Sequence, residues 1–197
     1  MSVPRLVVAG GSWGGLHAAC LLLAAMPVPL PAPVLLVLHR GPRSDGAALR
    51  GVLAATGHDL CEAEDKQPLT AQRVLLAPPG YHTLVDRGEI CLSTEAPVNS
   101  CRPSIDVAFE SAADDYGLGL VAVLLSGLGR DGAGGLRRVK GRGGRALVQA
   151  PQSAERAEMP CAGIATGCAD EVATAEELGR RLAALLRIEP VAAERVG

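Results

Sequence analysis

The stretch that decides the fold is RLVVAGGSWGGLHAACLLLAA, from Arg5 to Ala25. A short apolar run, Leu6 to Ala9, meets a glycine cluster, and a segment rich in Ala and Leu follows at once. This pattern predicts a strand, a tight turn and a helix. The turn, Gly10 to Gly14, satisfies the G-x-S-x-G pattern that exposes a nucleophilic serine, here Ser12, at its apex. Free N–H groups at the start of the following helix would stabilise a developing oxyanion there.

A glycine-rich turn after a first strand also binds phosphate in dinucleotide-binding folds. Here GGSWGG lacks the G-x-G-x-x-G spacing, and the second apolar strand, Val34 to Leu38, is followed by His39 rather than by an acidic residue that would hold a ribose. On these residues alone, a serine nucleophile, a phosphate loop and a plain structural turn all stay open.

The composition limits the classes of function. The chain has 197 residues, of which 48% are hydrophobic, enough for one core and one domain. The net charge is −2 and only 2% of the residues are aromatic, so the composition argues against a nucleic-acid partner. The six cysteines include no C-x-x-C pair, which favours buried free thiols in a reducing compartment over disulfides or zinc. With no signal peptide and no long unbroken apolar run, we expect a soluble cytoplasmic protein without membrane insertion.

Apolar strands alternate with helical segments along the rest of the chain. This order predicts an α/β fold with a doubly wound, mostly parallel sheet and helices on both faces. An antiparallel hairpin, His82 to Val85 and Glu89 to Ser93, is expected near a sheet edge. The other predicted strands are 34–38, 58–63, 73–77, 118–125, 145–149 and 171–173. The predicted helices are 45–56 capped by Asp45, 104–116 capped by Ser104, 133–140, 153–157, one after Pro160, and 175–187.

Three polar residues fall at the carboxyl ends of predicted strands, where open α/β sheets bind ligands. They are Ser12, His39 and Asp131, the last in the glycine-rich turn after the strand that ends near Leu125. A hydroxyl nucleophile needs a base, and the base needs an acid that fixes its tautomer. The three residues therefore suggest a Ser-His-Asp triad.

Each member has a simpler alternative. His39 could be a strand-end histidine bonded to the backbone, and Asp131 could cap the helix that follows it. Other residues of the same types compete for the roles of base and acid: His17, His58, His82, Asp65 and Asp106.

Five segments, taken in order, resemble the catalytic domain of the chemotaxis protein-glutamate methylesterase family, CheB. They are the elbow GGSWGG, the strand ending in His39, APVNSCRPSIDVAFESAA (96–113), LLSGLGRDGAGGL (124–136) and GGRALVQAPQSAERAEMP (143–160). The resemblance extends from about Arg5 to Leu186. The RPSID segment and the GxGxDGAxG turn together are specific, whereas the elbow alone is not.

The resemblance implies a doubly wound α/β domain, placed at residues 1–187 with a tail at 188–197. Such domains hydrolyse γ-glutamyl methyl esters on methyl-accepting chemotaxis receptors, and family members can also deamidate receptor glutamines. The family's nucleophile maps to Ser12, its base to His39 and its acid to Asp131. No metal or organic cofactor is implied.

Around the triad, N–H groups near Trp13 and Leu128 would face the oxyanion. Arg102 and Arg130 could attract an acidic receptor helix, or could be ordinary solvated or structural arginines. Trp13 stands where the family has a small residue, often threonine, and we expect its indole to lie across the rim and narrow the substrate groove. Leu128 replaces the family's usual methionine, an apolar exchange that should cost little.

The chain begins at the catalytic domain, so the family's N-terminal receiver domain, which masks the site until phosphorylated, is expected to be absent. Two further function classes stay open: a non-catalytic member that binds a receptor or signalling partner, and a serine hydrolase with another substrate. A nucleotide-binding domain is the distant third.

Overall fold

The computed structural model describes residues 5–41 and 46–186. Within them, seven strands form one sheet in the order β3-β4-β2-β1-β7-β8-β9, and two more form a separate pair, β5-β6. The strands are β1 Leu6–Gly11, β2 Val34–Leu38, β3 Asp59–Glu62, β4 Arg73–Leu76, β5 His82–Asp86, β6 Glu89–Ser93, β7 Leu120–Leu124, β8 Arg145–Gln149 and β9 Glu171–Ala173. The helices are α1 Gly15–Ala24, α2 Gly46–Ala54, α3 Ile105–Tyr116, α4 Ala133–Gly141, α5 Glu158–Ala165 and α6 Ala175–Leu186.

Every pairing in the seven-stranded sheet is parallel, and each residue of its central strands β1, β2 and β7 is buried. Successive side chains of a strand point to opposite faces. Accordingly Val7 and Ala9 belong to the apolar core that contains α1 and α6, whereas Leu6 and Val8 belong to the core that contains α3. Two covered faces explain why these strands are continuous apolar runs. The predicted doubly wound fold is confirmed.

The strand order reverses beside β1. The chain passes from β1 to β2 and the strands beyond it, then returns to the other side of β1 with β7. Ligands bind at such a reversal, beyond the carboxyl ends of the strands. The fold therefore directs attention to the segments that follow β1, β2 and β7.

Several predicted boundaries were wrong for local reasons. The strand predicted from Leu118 begins at Leu120, because a turn of 3-10 helix occupies Gly117–Gly119. The hairpin β5-β6 is not hydrogen-bonded to the main sheet but packs on α3, where Val85 N donates to Ser111 Oγ at 3.1 Å.

The polar segment before α5 was also misjudged. A 3-10 turn lies at Pro151–Ser153 instead of a helix at 153–157. Helix α5 begins at Glu158, so Pro160 lies in its first turn, where the missing N–H has no cost. Predictions for Asp45 and residues 187–197 fall outside the described residues.

No helix among residues 5–41 and 46–186 is long and apolar enough to cross a membrane.

Candidate active site

The parallel register brings three chain segments to one edge of the sheet. Gly11 lies opposite Leu38, and Gly10 lies opposite Leu124. The residues that follow these strands are held by further backbone hydrogen bonds, with His39 N donating to Gly11 O at 3.0 Å and Ser12 N donating to Ser126 O at 2.9 Å. Ser12, His39 and the loop after β7 therefore meet at the same level.

The turn between β1 and α1 has the geometry of an exposed elbow. Gly14 adopts φ 75°, a left-handed conformation that favours glycine, and Gly15 N donates to Ser12 O at 2.8 Å. The backbone N–H groups of Trp13 and Leu128 have no acceptor within the described part of the chain. Both could therefore donate to an oxyanion formed beside Ser12.

His39 and Asp131 form a hydrogen-bonded pair. His39 Nε2 lies 2.8 Å from Asp131 Oδ2, and the side chains are 14% and 2% exposed. An ionised carboxylate only accepts hydrogen bonds, so Nε2 carries the proton and the lone pair of the neutral ring is on Nδ1. This is the tautomer that a general base needs.

Asp131 is also the anion at the start of α3. Its carboxylate accepts from Ser104 Oγ at 2.8 Å and from the backbone N–H groups of Ile105 and Asp106 at 2.6 and 3.2 Å. The alternative that Asp131 caps the following helix is wrong, because α4 has no side-chain cap. Ser104 is the N-cap residue of α3, as predicted, but its hydroxyl makes no capping hydrogen bond to the helix and donates to Asp131 instead.

The carboxyl group of Asp131 is held ionised. Burial, the largest effect, would raise its pKa, but the hydrogen bonds from His39, Asn99, Ile105 and Ser104 together lower the pKa below its ordinary 3.8. Asn99 Nδ2 donates to Asp131 Oδ1 at 2.9 Å and to Asp106 Oδ2 at 2.7 Å, which ties the loop before α3 to this carboxylate. The acid of the pair is therefore fixed in charge and position.

The free nitrogen of His39 faces a residue that the sequence analysis did not assign. Cys101 Sγ lies 3.5 Å from His39 Nδ1. The Ser12 hydroxyl has no hydrogen-bond partner among residues 5–41 and 46–186, so the structure does not join it to His39. Catalytic hydrogen bonds are often long in unliganded sites and tighten with substrate, so Ser12 stays a candidate.

The side chains of His39, Cys101 and Asp131 place one ligand atom each within 4.8 Å of one another. Two ligands of a tetrahedral zinc ion, each about 2 Å from the metal, stand roughly 3.3 Å apart. His39 Nε2 and Asp131 Oδ2 are closer than this, at 2.8 Å, and share a proton directly. The donor set fits a proton-transfer group better than a metal site.

Trp13 lies at the rim, as expected, with 56% of its surface exposed. Its indole Nε1 donates to Glu155 Oε1 at 2.6 Å, and the Arg156 guanidinium lies 5.5 Å from the ring centroid. Ser126 Oγ bonds the backbone oxygens of Trp13 and Arg156 at 2.8 and 3.2 Å, which joins both segments. Whether this wall restricts substrate stays a prediction.

The two predicted rim arginines differ in their surroundings. Arg102 Nη1 donates to the carbonyls of Thr94 and Glu95 at 2.8 and 2.9 Å, so part of its guanidinium is committed to its own loop. Arg130 is exposed, and its side chain has no hydrogen-bond or ion-pair partner in the described residues. Leu128, 44% exposed, lies in the same loop as Arg130. Arg130 is thus the better placed of the two for an acidic substrate.

The competing histidines and acids have other contacts. His58 Nε2 donates to Leu23 O at 2.8 Å, and His17 is exposed on α1. His82 Nδ1 accepts from Ser104 N at 3.2 Å, while its Nε2 donates to Ala96 O at 3.1 Å. Asp65 and Asp106 accept from the backbone N–H groups of Leu92 and Gly135 at 2.9 and 2.7 Å. None of these hydrogen bonds involves His39 or Ser12.

Five residues support the site in ways that their sequence pattern did not predict: Asn99, Cys101, Ser104, Glu155 and Arg156. The first three lie in the irregular segment NSCRPS, which carries part of the resemblance but has no periodicity that would predict contacts. The six cysteines are all free, but five are half-buried and Cys161 is exposed, so the expectation of buried thiols was wrong in degree.

Comparison with known proteins places this site in context. The family model for CheB methylesterase matches residues 7–182. A putative protein-glutamate methylesterase/protein-glutamine glutaminase of Leptospira interrogans is 38% identical over 173 residues, covering 87% of this chain and 90% of the relative. A protein-glutamate methylesterase/protein-glutamine glutaminase of Anaeromyxobacter dehalogenans is 40% identical over 186 residues, covering 93% of this chain and 54% of the relative.

The fold has a solved counterpart. The crystal structure of the Thermotoga maritima CheB methylesterase catalytic domain matches with a TM-score of 0.86 and 29% sequence identity. The match covers 94% of this chain and all of the solved one.

Proposed function

The chain belongs to the CheB methylesterase family, and on that premise we propose that it is a serine hydrolase that removes methyl esters from glutamate side chains of methyl-accepting chemotaxis receptors. The same site would deamidate receptor glutamines, since two of its relatives carry both activities in their names. The observation that carries the proposal is the His39–Asp131 pair, held at the strand ends beside Ser12 in the tautomer of a general base.

The mechanism follows from the chemistry of these residues. Ser12 Oγ attacks the ester carbonyl while His39 Nδ1 accepts the hydroxyl proton. Asp131 stabilises the imidazolium across the 2.8 Å hydrogen bond. The N–H groups of Trp13 and Leu128 bind the oxyanion. As the bond from the carbonyl carbon to the methoxy oxygen breaks, His39 donates its proton to that oxygen and methanol departs. Water then hydrolyses the acyl-enzyme by the same proton transfers and releases the glutamate.

Substrate binding would involve the exposed rim. Receptor segments with several glutamates are anionic, and Arg130 is an exposed residue of the loop that carries Leu128, with no side-chain partner among the described residues. A second cation, Arg156, lies over the Trp13 ring. Opposite charges of this kind steer association and fix orientation more than they add affinity. Such a substrate faces the cytoplasm, so we propose that the protein acts there.

The test is incubation of the protein with methylated receptor and measurement of released methanol. Ser12→Ala should abolish release with a nearly unchanged Tm, because Ser12 is a half-buried turn residue. Cys161→Ala, a small exposed change on α5, is the matched control and should keep wild-type release. Undiminished methanol release by Ser12→Ala would remove Ser12 from the mechanism.

A non-catalytic binding role is the second candidate. It is favoured by one observation, that His39 Nδ1 faces Cys101 rather than the Ser12 hydroxyl. On this alternative the wild-type protein binds receptor and releases no methanol, which the same assay detects.

A further inference from the structure

The side chains around His39 form a second complete catalytic arrangement. Cys101 Sγ lies 3.5 Å from Nδ1, and Asp131 Oδ2 lies 2.8 Å from Nε2 on the opposite side of the ring. Nucleophile, base and acid thus stand in line, as in a Cys-His-Asp triad. We propose that Cys101 is a second nucleophile, which uses the His39–Asp131 pair to hydrolyse small acyl esters.

The loop that carries Cys101 is held firmly. Val98 and Cys101 exchange backbone hydrogen bonds of 3.2 and 2.9 Å, and Asn99 and Ser100 between them adopt φ 50° and 62°. The Asn99 side chain anchors this turn to Asp131. Such a turn keeps the thiol against the imidazole, and held geometry is a major source of catalytic rate.

A cleft next to His39 contains this arrangement. Its volume is about 450 Å³, and it is lined by His39 to Gly41, Gly80, Pro97 and Ser100 to Pro103. Cys101 is half-buried in this wall. The volume suits a small acyl ester rather than a receptor helix. The backbone N–H of Arg102, the residue after the thiol, has no acceptor in the described chain and is the candidate oxyanion donor.

The resting thiol is neutral. Burial, and to a lesser degree the Asp131 charge, raises the pKa of Cys101 to about 11. A neutral thiol, like a serine hydroxyl, must lose its proton to a base during attack. Two acceptors lie near the thiol, Asn99 O at 3.3 Å and His39 Nδ1 at 3.5 Å, and of these only the imidazole nitrogen is a base that can take the proton.

The reaction balances with water as the only co-substrate. Cys101 Sγ bonds to the ester carbonyl carbon, its proton passes to His39 Nδ1, and the bond from carbon to the alcohol oxygen breaks. The imidazolium protonates the leaving alkoxide, which leaves a thioester on Cys101. Water then attacks the thioester, its proton passes through His39 to the sulfur, and the carboxylic acid departs.

The test uses p-nitrophenyl acetate and a Ser12→Ala background, so its outcome does not depend on the proposed role of Ser12. Nitrophenolate release is measured, and the acetylated residue is located by peptide mass spectrometry. In Ser12→Ala we expect acetyl on Cys101, removable by neutral hydroxylamine as a thioester is. Adding Cys101→Ala or His39→Gln should lower release by about 10²-fold or more.

Two controls separate the triad from ordinary thiol reactivity. Cys161 is exposed, so Ser12→Ala/Cys161→Ala should retain the release rate. Ser12→Ala/Cys101→Ser keeps a small polar side chain at the position, and thermal unfolding shows which variants fold. The inference is overturned if Ser12→Ala carries no acetyl on Cys101. It is also overturned if Cys101 acetylation persists in Ser12→Ala/His39→Gln, or if Cys161 is acetylated as fast.

Discussion

Replacing Asp131 by asparagine tests how much of the site rests on one carboxylate. The two oxygens have different partners: Oδ2 accepts from His39 and Ile105, while Oδ1 accepts from Asn99, Ser104 and the Asp106 N–H. An amide has only one acceptor oxygen. If its NH₂ replaces Oδ2, it faces the Ile105 N–H and forces His39 into the tautomer with the proton on Nδ1. If it replaces Oδ1, Ser104 can rotate to accept, but Asn99 loses one of its two acceptors and the Asp106 N–H loses its acceptor.

The size of both effects can be estimated. A wrong tautomer costs up to ~10⁴-fold in kcat, as in the serine-protease case from which the figure is taken. That is about 5 kcal/mol of transition-state stabilisation. Loss of one or two hydrogen bonds to a buried charged acceptor costs about 1.5–3 kcal/mol each. Asp131→Asn should therefore lower turnover by about 10²–10⁴-fold and destabilise the protein by about 1.5–6 kcal/mol.

Two measurements test this prediction: single-turnover ester hydrolysis for the catalytic rate, and urea unfolding at several pH values for the stability. The pKa of Asp131 is depressed in the folded state, so its stabilising contribution is present above the ordinary 3.8 and is lost as pH falls through the folded value. The difference in unfolding free energy between wild type and Asp131→Asn should thus be constant above pH 3.8 and should shrink as the pH falls below 3.8. Ser104→Ala, which removes one donor to Oδ1 and leaves His39 in place, is the control and should lose little turnover. An Asp131→Asn variant less than about tenfold slower would refute the positioning role and leave only the helix anchor.

Two further substitutions test the walls beside Ser12. Trp13→Thr should speed hydrolysis of bulky receptor substrate and barely change the turnover of p-nitrophenyl acetate. Because the Trp13 side chain is 56% exposed, the substitution should lower the free energy of unfolding by only about 1 kcal/mol. A loss of several kcal/mol would mean that Trp13 is structural. Gly127→Ala should abolish esterase activity and destabilise the fold by about 1–3 kcal/mol, because a Cβ there would overlap the buried Met159 Sδ and lie 2.8 Å from Ser12 Cβ. Gly179→Ala is the control, because its Cβ would meet the Leu22 backbone where α6 packs on α1, away from Ser12. It should be destabilised as much as Gly127→Ala, but its folded fraction should keep wild-type turnover.

The sequence was sufficient to predict that Ser12, His39 and Asp131 share one edge of the sheet. The prediction needed only apolar strands with helices between them, because parallel strands present their carboxyl ends together. The partners of Asp131 needed more. Its anchoring of α3 depends on how that helix packs against the loop after β7, a tertiary contact that no local pattern encodes.

The contacts that the loops make with His39 and Trp13 could not be predicted from the sequence for the same reason. Cys101 meets His39 across 62 positions of sequence, and Trp13 meets Glu155 across 142. Both Cys101 and Glu155 lie in irregular segments without the periodicity that signals orientation. The strand predicted from Leu118 was too long at its start. Leu118 is apolar and extends the apolar pattern of the strand, but the backbone there forms the 3-10 turn Gly117–Gly119.

Trp13 has one more consequence, since it is the single tryptophan of the chain. Indole emission from this protein therefore reports one place, adjacent to Ser12 and in contact with Glu155 and Arg156. A ligand that covers the ring, or parts it from the guanidinium, changes its polarity and its access to a collisional quencher. The protein thus carries its own optical reporter at the mouth of the site, and occupancy can be titrated without label or turnover.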